Sequence, residues 1–271
     1  SELFCGESGT TLRFMTALCA LVDGESKLTC RPSLSHRPIV PLLEGLKQLE
    51  VDCRSTNGSP PIVVRGKGRV RGGEVELRGD VSSQFVSALL FISPLTDDGV
   101  SLKLTTSLES KPYVSMTMAI QREFGVEVHA SGDMREFNIK RQSYQPTDFK
   151  VEGDWSSAAF LLAAGALAGR VTVEGLNVES LQADAFIIDV LKQMGANVEI
   201  QKDAISVSKS SLTGGEFDVS DCPDLFPIVA ALGAAAEGRS VLYGIERLRY
   251  KESDRVKAVV EGLQSMGIET V

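Results

Sequence analysis

The chain has 271 residues, 43% of them hydrophobic and 24% charged, and a formal net charge of −8. That length admits one large domain or two; no run of about 18 apolar residues is present to cross a membrane, and the negative charge excludes general nucleic-acid binding, which draws on clustered Lys and Arg. Five scattered cysteines, without CxxC spacing or a histidine partner, form neither a disulfide framework nor a zinc site, so a reducing cytoplasmic setting is expected.

In chain order, Gly6-Glu7-Ser8-Gly9-Thr10-Thr11 opens a first helix that Gly24 closes; Lys27–Cys30 reads as a strand and Pro38–Leu49 as a second helix, with Glu50 where a closing glycine is expected. Gly66-Lys67-Gly68, flanked by Arg65, Arg69 and Arg71, lacks phosphate-loop spacing and reads as a basic hairpin turn. Val75 and Leu77 alternate with polar residues before Gly79-Asp80-Val81-Ser82-Ser83-Gln84, and an apolar run follows, so a strand, a turn and a helix start are predicted. The pattern returns 74 residues on as Gly153-Asp154-Trp155-Ser156-Ser157, after Phe149 and Val151. Paired hydroxyls at such a start fit either a helix cap or a phosphate seat, because free N–H groups and the positive dipole end favour an anion.

The glycines betray a period near 70 residues. Gly99, Gly169 and Gly238 precede strands at Val100–Thr105, Val171–Gly175 and Ser240–Gly244, while Gly125, Gly195 and Gly267 end second helices near Tyr113–Phe124, Leu181–Met194 and Ser253–Met266. Four βαβαββ-like copies follow, an α/β fold with helices packed under sheets. The polar stretch Gln142–Asp148 is the expected hinge, giving a first lobe 1–148 and a second lobe 149–271. Alanines along the first helices of copies three and four (Ala158, Ala159, Ala163, Ala164; Ala230, Ala231, Ala234, Ala235) predict interior positions. Met116, Met118, Met134, Met194 and Met266 read as core filler and Trp155 as a buried wedge. His36 and His129 share no metal-ligand spacing, and His129 falls in a strand.

The copies differ most at the start of the second helix. His36-Arg37-Pro38, Ser110-Lys111-Pro112-Tyr113 and Lys251-Glu252-Ser253-Asp254-Arg255 carry cations there, and Ser180-Leu181-Gln182-Ala183 carries none. A cation at a helix N-terminus opposes the macrodipole, so several in one fold point to a bound anion. Glu252 and Arg255, three apart, fit an exposed ion pair equally well. Asp224, after Cys222-Pro223, fits an N-cap or a proton acceptor.

Taken together, Gly6-Glu7-Ser8-Gly9-Thr10-Thr11-Leu12-Arg13, His36-Arg37-Pro38, Val81-Ser82-Ser83-Gln84-Phe85, Ser110-Lys111-Pro112-Tyr113, Cys222-Pro223-Asp224 and Lys251-Glu252-Ser253-Asp254-Arg255 make the chain resemble the 5-enolpyruvylshikimate-3-phosphate synthases of the enolpyruvyl transferase family. The resemblance implies the two-lobed inside-out α/β barrel of that family. It implies transfer of an enolpyruvyl group from phosphoenolpyruvate to shikimate-3-phosphate in a cleft between lobes, by a monomer, without metal or organic cofactor. By position, Ser82, Ser83 and Ser110 would hold the shikimate phosphate, and Gln84, Tyr113, Asp224 and Lys251 its ring. Arg37 would take the phosphate of phosphoenolpyruvate and Arg255 its carboxylate, with Gly9 allowing close backbone approach; Asp224 and Glu252 would move protons. Arg247 stands where the family often has Asn. The family's N-terminal Lys-Ser…Arg segment and its last unit would lie before Ser1 and after Val271, so little turnover is expected from these four units alone. The alternatives are a transferase acting on UDP-N-acetylglucosamine, whose cysteine loop has no counterpart here, and a non-catalytic binding protein of the same fold. A relative of the RNA 3′-phosphate cyclases is disfavoured by the charge.

Overall fold

Two strands that run parallel need a crossover to join them, and here each crossover is a helix. The computed structural model describes residues 1–202, 204–250 and 253–271 and divides into two compact units, Ser1–Phe149 and Lys150–Val271. In the first unit, β1 (Glu2–Phe4), α1 (Gly9–Leu18), β2 (Gly24–Thr29), a short α2 (Pro32–Ser35), α3 (Val40–Gln48), β3 (Asp52–Thr56) and β4 (Ser59–Gly66) form copy one. Its sheet runs β1-β2-β4-β3, parallel across β1 and β2 and antiparallel elsewhere. Copy two repeats that order with β5 (Gly73–Leu77), α4 (Ser83–Ile92), β6 (Val100–Leu104), α5 (Lys111–Glu123), β7 (His129–Ala130) and β8 (Glu136–Ile139), giving β5-β6-β8-β7. The alternation is visible in burial: Val100, Leu102 and Leu104 are buried, Ser101 and Lys103 exposed.

In the second unit, copy three holds α6 (Trp155–Ala168), β9 (Arg170–Glu174), a 3₁₀ turn at Ala183–Phe186 leading into α7 (Ile187–Gln193), β10 (Asn197–Ile200) and β11 (Ala204–Ser208). Copy four holds β12 (Glu216–Asp218), α8 (Phe226–Ala235), β13 (Val241–Tyr243) and α9 (Arg255–Ser265), with β12 and β13 parallel. Each unit has its own apolar core, centred on Phe85, Phe137 and Leu42 in the first and on Trp155, Phe217 and Leu191 in the second.

Several expectations are corrected. The strand predicted before Asp154 does not form: residues 145–154 carry no ladder, Val151 is 79% exposed, and the approach to β9 is limited to the Gly153 N–H bonded to the Gly175 carbonyl at 3.1 Å. Consequently β9 is a sheet edge, where β2 and β6 are interior. The basic stretch after Gly66 is no hairpin turn, because β4 and β5 belong to different sheets and residues 67–72 connect them. Burial of α6 and α8 is one-sided: Ala158, Ala159, Leu162, Ala166 and Ala230 are buried, but Phe160 and Leu161 are more than half exposed, and Ala164, Ala231 and Ala235, expected inside, are exposed too. Met266 is 70% exposed, since the last turn of α9 lies beyond its one buried position, Val256, whereas Met194 is fully buried. The expected hinge is fastened at its start: the Gln142 side chain bonds both the N–H and the carbonyl of Glu127, and the Tyr144 hydroxyl donates to the Phe91 carbonyl at 2.9 Å.

The closing position of each second helix shows why glycine recurs. Gly125, Gly195 and Gly267 have φ of +77, +86 and +83°, a left-handed conformation that a side chain disfavours. Copy one takes the same turn with Glu50 at φ +60°. Glu50→Gly is therefore expected to raise the stability of the first unit by about 0.5–1 kcal/mol, less than the full left-handed cost because glycine frees the unfolded chain. Urea unfolding of the two proteins side by side measures it; no gain would show that the turn carries no strain.

Candidate active site

Three helix starts of the first unit come together. The Gln84 amide in the first turn of α4 donates to Thr10 Oγ1 in the first turn of α1 at 2.8 Å. The turn before α4 is tied to the turn before α5, with the N–H groups of Gly79 and Asp80 donating to Thr106 Oγ1 at 2.9 and 3.2 Å and the Glu109 N–H to the Gly79 carbonyl at 3.1 Å. Below the starts, Ser87 and Thr117 bond at 2.8 Å and hold α4 against α5. None of the three helices has an acidic residue in its first turn. Glu7 and Asp80, just outside, are engaged by Ser33 at 2.9 Å and by Arg78 at 2.7 Å. Three positive dipole ends, each worth about 0.3–1 kcal/mol to a nearby anion, thus meet with no acid inside their first turns, although Glu109 stands just ahead of the Ser110 N-cap.

Two guanidinium groups add to that field. Arg13, only 3% exposed, donates to Gln84 Oε1 at 2.6 Å, Ser82 Oγ at 3.3 Å and the Pro38 carbonyl at 3.1 Å, and lies 4.9 Å from the Phe85 ring centre. Burial first, and the charge of Arg37 second, pull its pKa down to about 9, so it stays cationic at neutral pH. Arg37 lies against Gly9, where a Cβ would stand 2.7 Å from its Nη1; any larger residue would displace it. Among the described residues no carboxylate pairs with either guanidinium.

The expected site residues sort clearly. Ser8 Oγ caps α1 by accepting from the Thr11 N–H, but Ser82, at the N-cap of α4, makes no side-chain cap bond and offers its hydroxyl to Arg13 instead. Ser83 is the first residue of α4 and buried. Ser110 is the N-cap of α5, buried, and held at φ +52°; Tyr113 follows one turn in, half-buried. Arg37 is not at a helix start as expected: it sits in the turn between α2 and α3, because the Pro32-Ser33-Leu34-Ser35 turn closes before Val40 begins the next helix. Arg13 was the residue without an expected role. Its signal in the sequence is a charge inside the buried stripe of α1, between Leu12 and Thr16.

In the second unit the helix starts carry carboxylates. Asp154 caps α6, accepting from the N–H groups of Ser156 and Ser157, and Asp254 caps α9, accepting from the Lys257 N–H at 2.9 Å. In copy three the paired serines thus serve a cap, not a vacant hydroxyl pair. Asp224 is not an N-cap; it lies inside the 3₁₀ turn Pro223–Leu225 that Cys222 caps, and its Oδ1 accepts from Arg255 Nη1 at 2.5 Å. Arg255 opens α9, and its charge there is offset by the Asp254 cap as well as by Asp224. Arg247 donates to the Ser220 carbonyl at 2.7 Å. Lys251 and Glu252 lie outside the described residues.

Comparison with known proteins agrees with this arrangement. The family model described as EPSP synthase (3-phosphoshikimate 1-carboxyvinyltransferase) matches residues 1–271. The 3-phosphoshikimate 1-carboxyvinyltransferase of Natronomonas pharaonis is 45% identical over 284 residues, covering 98% of this chain and 64% of its own length. Among solved structures, EPSP synthase from Acinetobacter baumannii superposes with a TM-score of 0.76 at 28% identity, over 97% of this chain and 61% of that one. The enolpyruvyl transferase NikO from Streptomyces tendae, at 20% identity and a TM-score of 0.63 over 84% of this chain and 56% of that one, shares the fold. The chain therefore spans about 64% of the length of the curated relative.

A cluster of helix starts and cations favours oxyanions. Inorganic phosphate at ten times its dissociation constant is expected to stabilise the first unit by about 1.4 kcal/mol and to raise its melting temperature by about 4 °C. Arg37→Ala should lose most of that rise. An equal rise in the variant, followed by differential scanning fluorimetry at constant ionic strength, would place the anion elsewhere.

Proposed function

The chain belongs to the EPSP synthase family, and on that premise we propose that the protein carrying it transfers the enolpyruvyl group of phosphoenolpyruvate to the 5-hydroxyl of shikimate-3-phosphate and releases phosphate. The convergence of three helix starts with Arg13 and Arg37 carries the reading, since both substrates are phosphorylated and such a field selects phosphate over neutral ligands. Ser82, Ser83 and Ser110 hold the shikimate phosphate, and Gln84, Tyr113, Asp224 and Lys251 orient the ring. Arg37 takes the phosphate of phosphoenolpyruvate, close to the Gly9 backbone, and Arg255 takes its carboxylate. The protein acts as a monomer in the cytoplasm.

The reaction then runs in two steps. Asp224 accepts the proton of the 5-hydroxyl as its oxygen bonds to C2 of phosphoenolpyruvate, and C3 gains a proton from Glu252, giving a tetrahedral intermediate. Return of the C3 proton to Glu252 re-forms the double bond as the C2–O bond to phosphate breaks, and the leaving phosphate takes the proton held by Asp224. In the ligand-free protein Asp224 is bonded to Arg255. The phosphoenolpyruvate carboxylate competes for that guanidinium, and its arrival releases Asp224 to act as a base. Arg13 holds Gln84 and Ser82 in place from beneath.

Phosphate release by the native-length protein should require both substrates. Ser83→Ala should raise KM for shikimate-3-phosphate about tenfold, the cost of one hydrogen bond to a charged group, and leave KM for phosphoenolpyruvate unchanged. Phosphate release with UDP-N-acetylglucosamine in place of shikimate-3-phosphate would overturn the reading in favour of the sister enzyme. Absence of heat on titrating shikimate-3-phosphate would favour a protein without this chemistry.

A further inference from the structure

The basic connection between the two sheets of the first unit has no part in the site described above. Residues 67–71 are pinned at both ends by glycines that pass against carbonyls: a Cβ on Gly66 would stand 1.9 Å from the Val22 oxygen, and one on Gly72 would stand 2.1 Å from the Gly99 oxygen. Between those points the N–H groups of Asp97 and Asp98 donate to the Val70 and Arg71 carbonyls at 3.0 and 2.8 Å. The segment thereby walls a hollow of about 410 Å³, a size that suits a small ligand. Ala20, Leu49, Val51 and Val70 give it a buried apolar lining. It lies at the opposite end of the helices from their starts: Ala20 follows α1, Leu49 and Glu50 follow α3, and Asp97 follows α4.

The charged side chains around this hollow fall into two groups. Arg65 is engaged by Glu25 at 2.9 Å and Asp52 at 3.6 Å, and Arg71 by Asp98 at 3.4 Å. Lys67, Arg69, Glu50 and Asp97 also line it, and none of them makes an ion pair or a side-chain hydrogen bond among the described residues. Two cations and two carboxylates thus share one hollow and leave each other unpaired. Glu50 supplies an independent observation. Glycine takes the left-handed turn that closes the second helix in the other three copies, whereas here a residue with a long side chain takes it at φ +60°, and that side chain reaches the hollow. Backbone strain of this kind is retained where a side chain has a use.

We propose that the hollow is a binding site for a small zwitterion with an apolar body, an α-amino acid carrying an apolar side chain. Lys67 and Arg69 take its carboxylate, Glu50 and Asp97 take its ammonium, and its side chain covers the apolar lining. The partial negative charge at the ends of α1, α3 and α4 favours the ammonium, as the helix starts at the other end favour phosphate. A simple anion would face Glu50 and Asp97, and a simple amine would face Lys67 and Arg69; a molecule with both charges satisfies all four and is selected over either. The hollow belongs entirely to the first unit and shares no residue with the proposed reaction, so the site stands or falls independently of that function.

Ligand-observed NMR titration of the native-length protein at pH 7 and constant ionic strength tests it with L-phenylalanine, L-leucine and two analogues that each lack one charge. Both amino acids are expected to bind. The compounds 3-phenylpropionate, without the ammonium, and 2-phenylethylamine, without the carboxylate, should each bind at least about tenfold more weakly than L-phenylalanine, the loss of one charged hydrogen-bonding group. Arg69→Ala and Glu50→Gln, both at exposed positions, should each weaken L-phenylalanine about tenfold and leave the melting temperature unchanged. No signal from either amino acid overturns the site. An analogue that binds as tightly as L-phenylalanine shows a plain anion or cation site and overturns the zwitterion. Unchanged affinity in either variant overturns the assignment of charges. None of these readings uses turnover, so a failure of phosphate release leaves them intact.

Discussion

Convergent helix starts are the constraint on which the rest of this molecule depends. In a βαβ crossover the helix begins where the first strand ends, so stacking copies of one unit brings several N-termini to the same end of the layer. Their unsatisfied N–H groups need partners. The two halves of the chain answer differently. Around α6, α8 and α9 the partners and neighbours are aspartates, Asp154, Asp224 and Asp254, and the ends are neutralised from within. Around α1, α4 and α5 they are hydroxyls, and two arginines increase the positive field instead of cancelling it. Such an arrangement is unfavourable by itself and becomes favourable with a bound oxyanion, which is why it carries more weight than any single motif residue.

Much of the architecture was legible in the sequence because it rests on short-range physics. Glycine at a left-handed position is dictated by its own backbone, so Gly125, Gly195 and Gly267 marked helix ends correctly and exposed the 70-residue period. Strands β6, β9 and β13 followed from their place after Gly99, Gly169 and Gly238. What escaped depends on neighbours distant in sequence. Phe149 and Val151 alternate as a strand should, yet a strand exists only through a partner, and the approach to β9 is one hydrogen bond from the Gly153 N–H to the Gly175 carbonyl. The stretch after Gly66 looks like a hairpin turn because nothing local states that β4 and β5 join different sheets.

The site was legible in the same uneven way. Ser82, Ser83, Gln84 and Ser110 stand at helix starts as their pattern indicates. Arg37 reaches Gly9 from a turn and not from a helix start, a placement decided by the brief α2 before it. Arg13 had no expected role, since a charged residue inside an apolar stripe declares itself only through what it touches, here Gln84 and Ser82.

The three bonds of the Arg13 fork reach a helix of copy two and a turn of copy one, 71 and 25 residues away along the chain. A single guanidinium thus belongs to two modules at once, and the copies are not interchangeable parts: cutting copy two away would strand a buried cation in copy one.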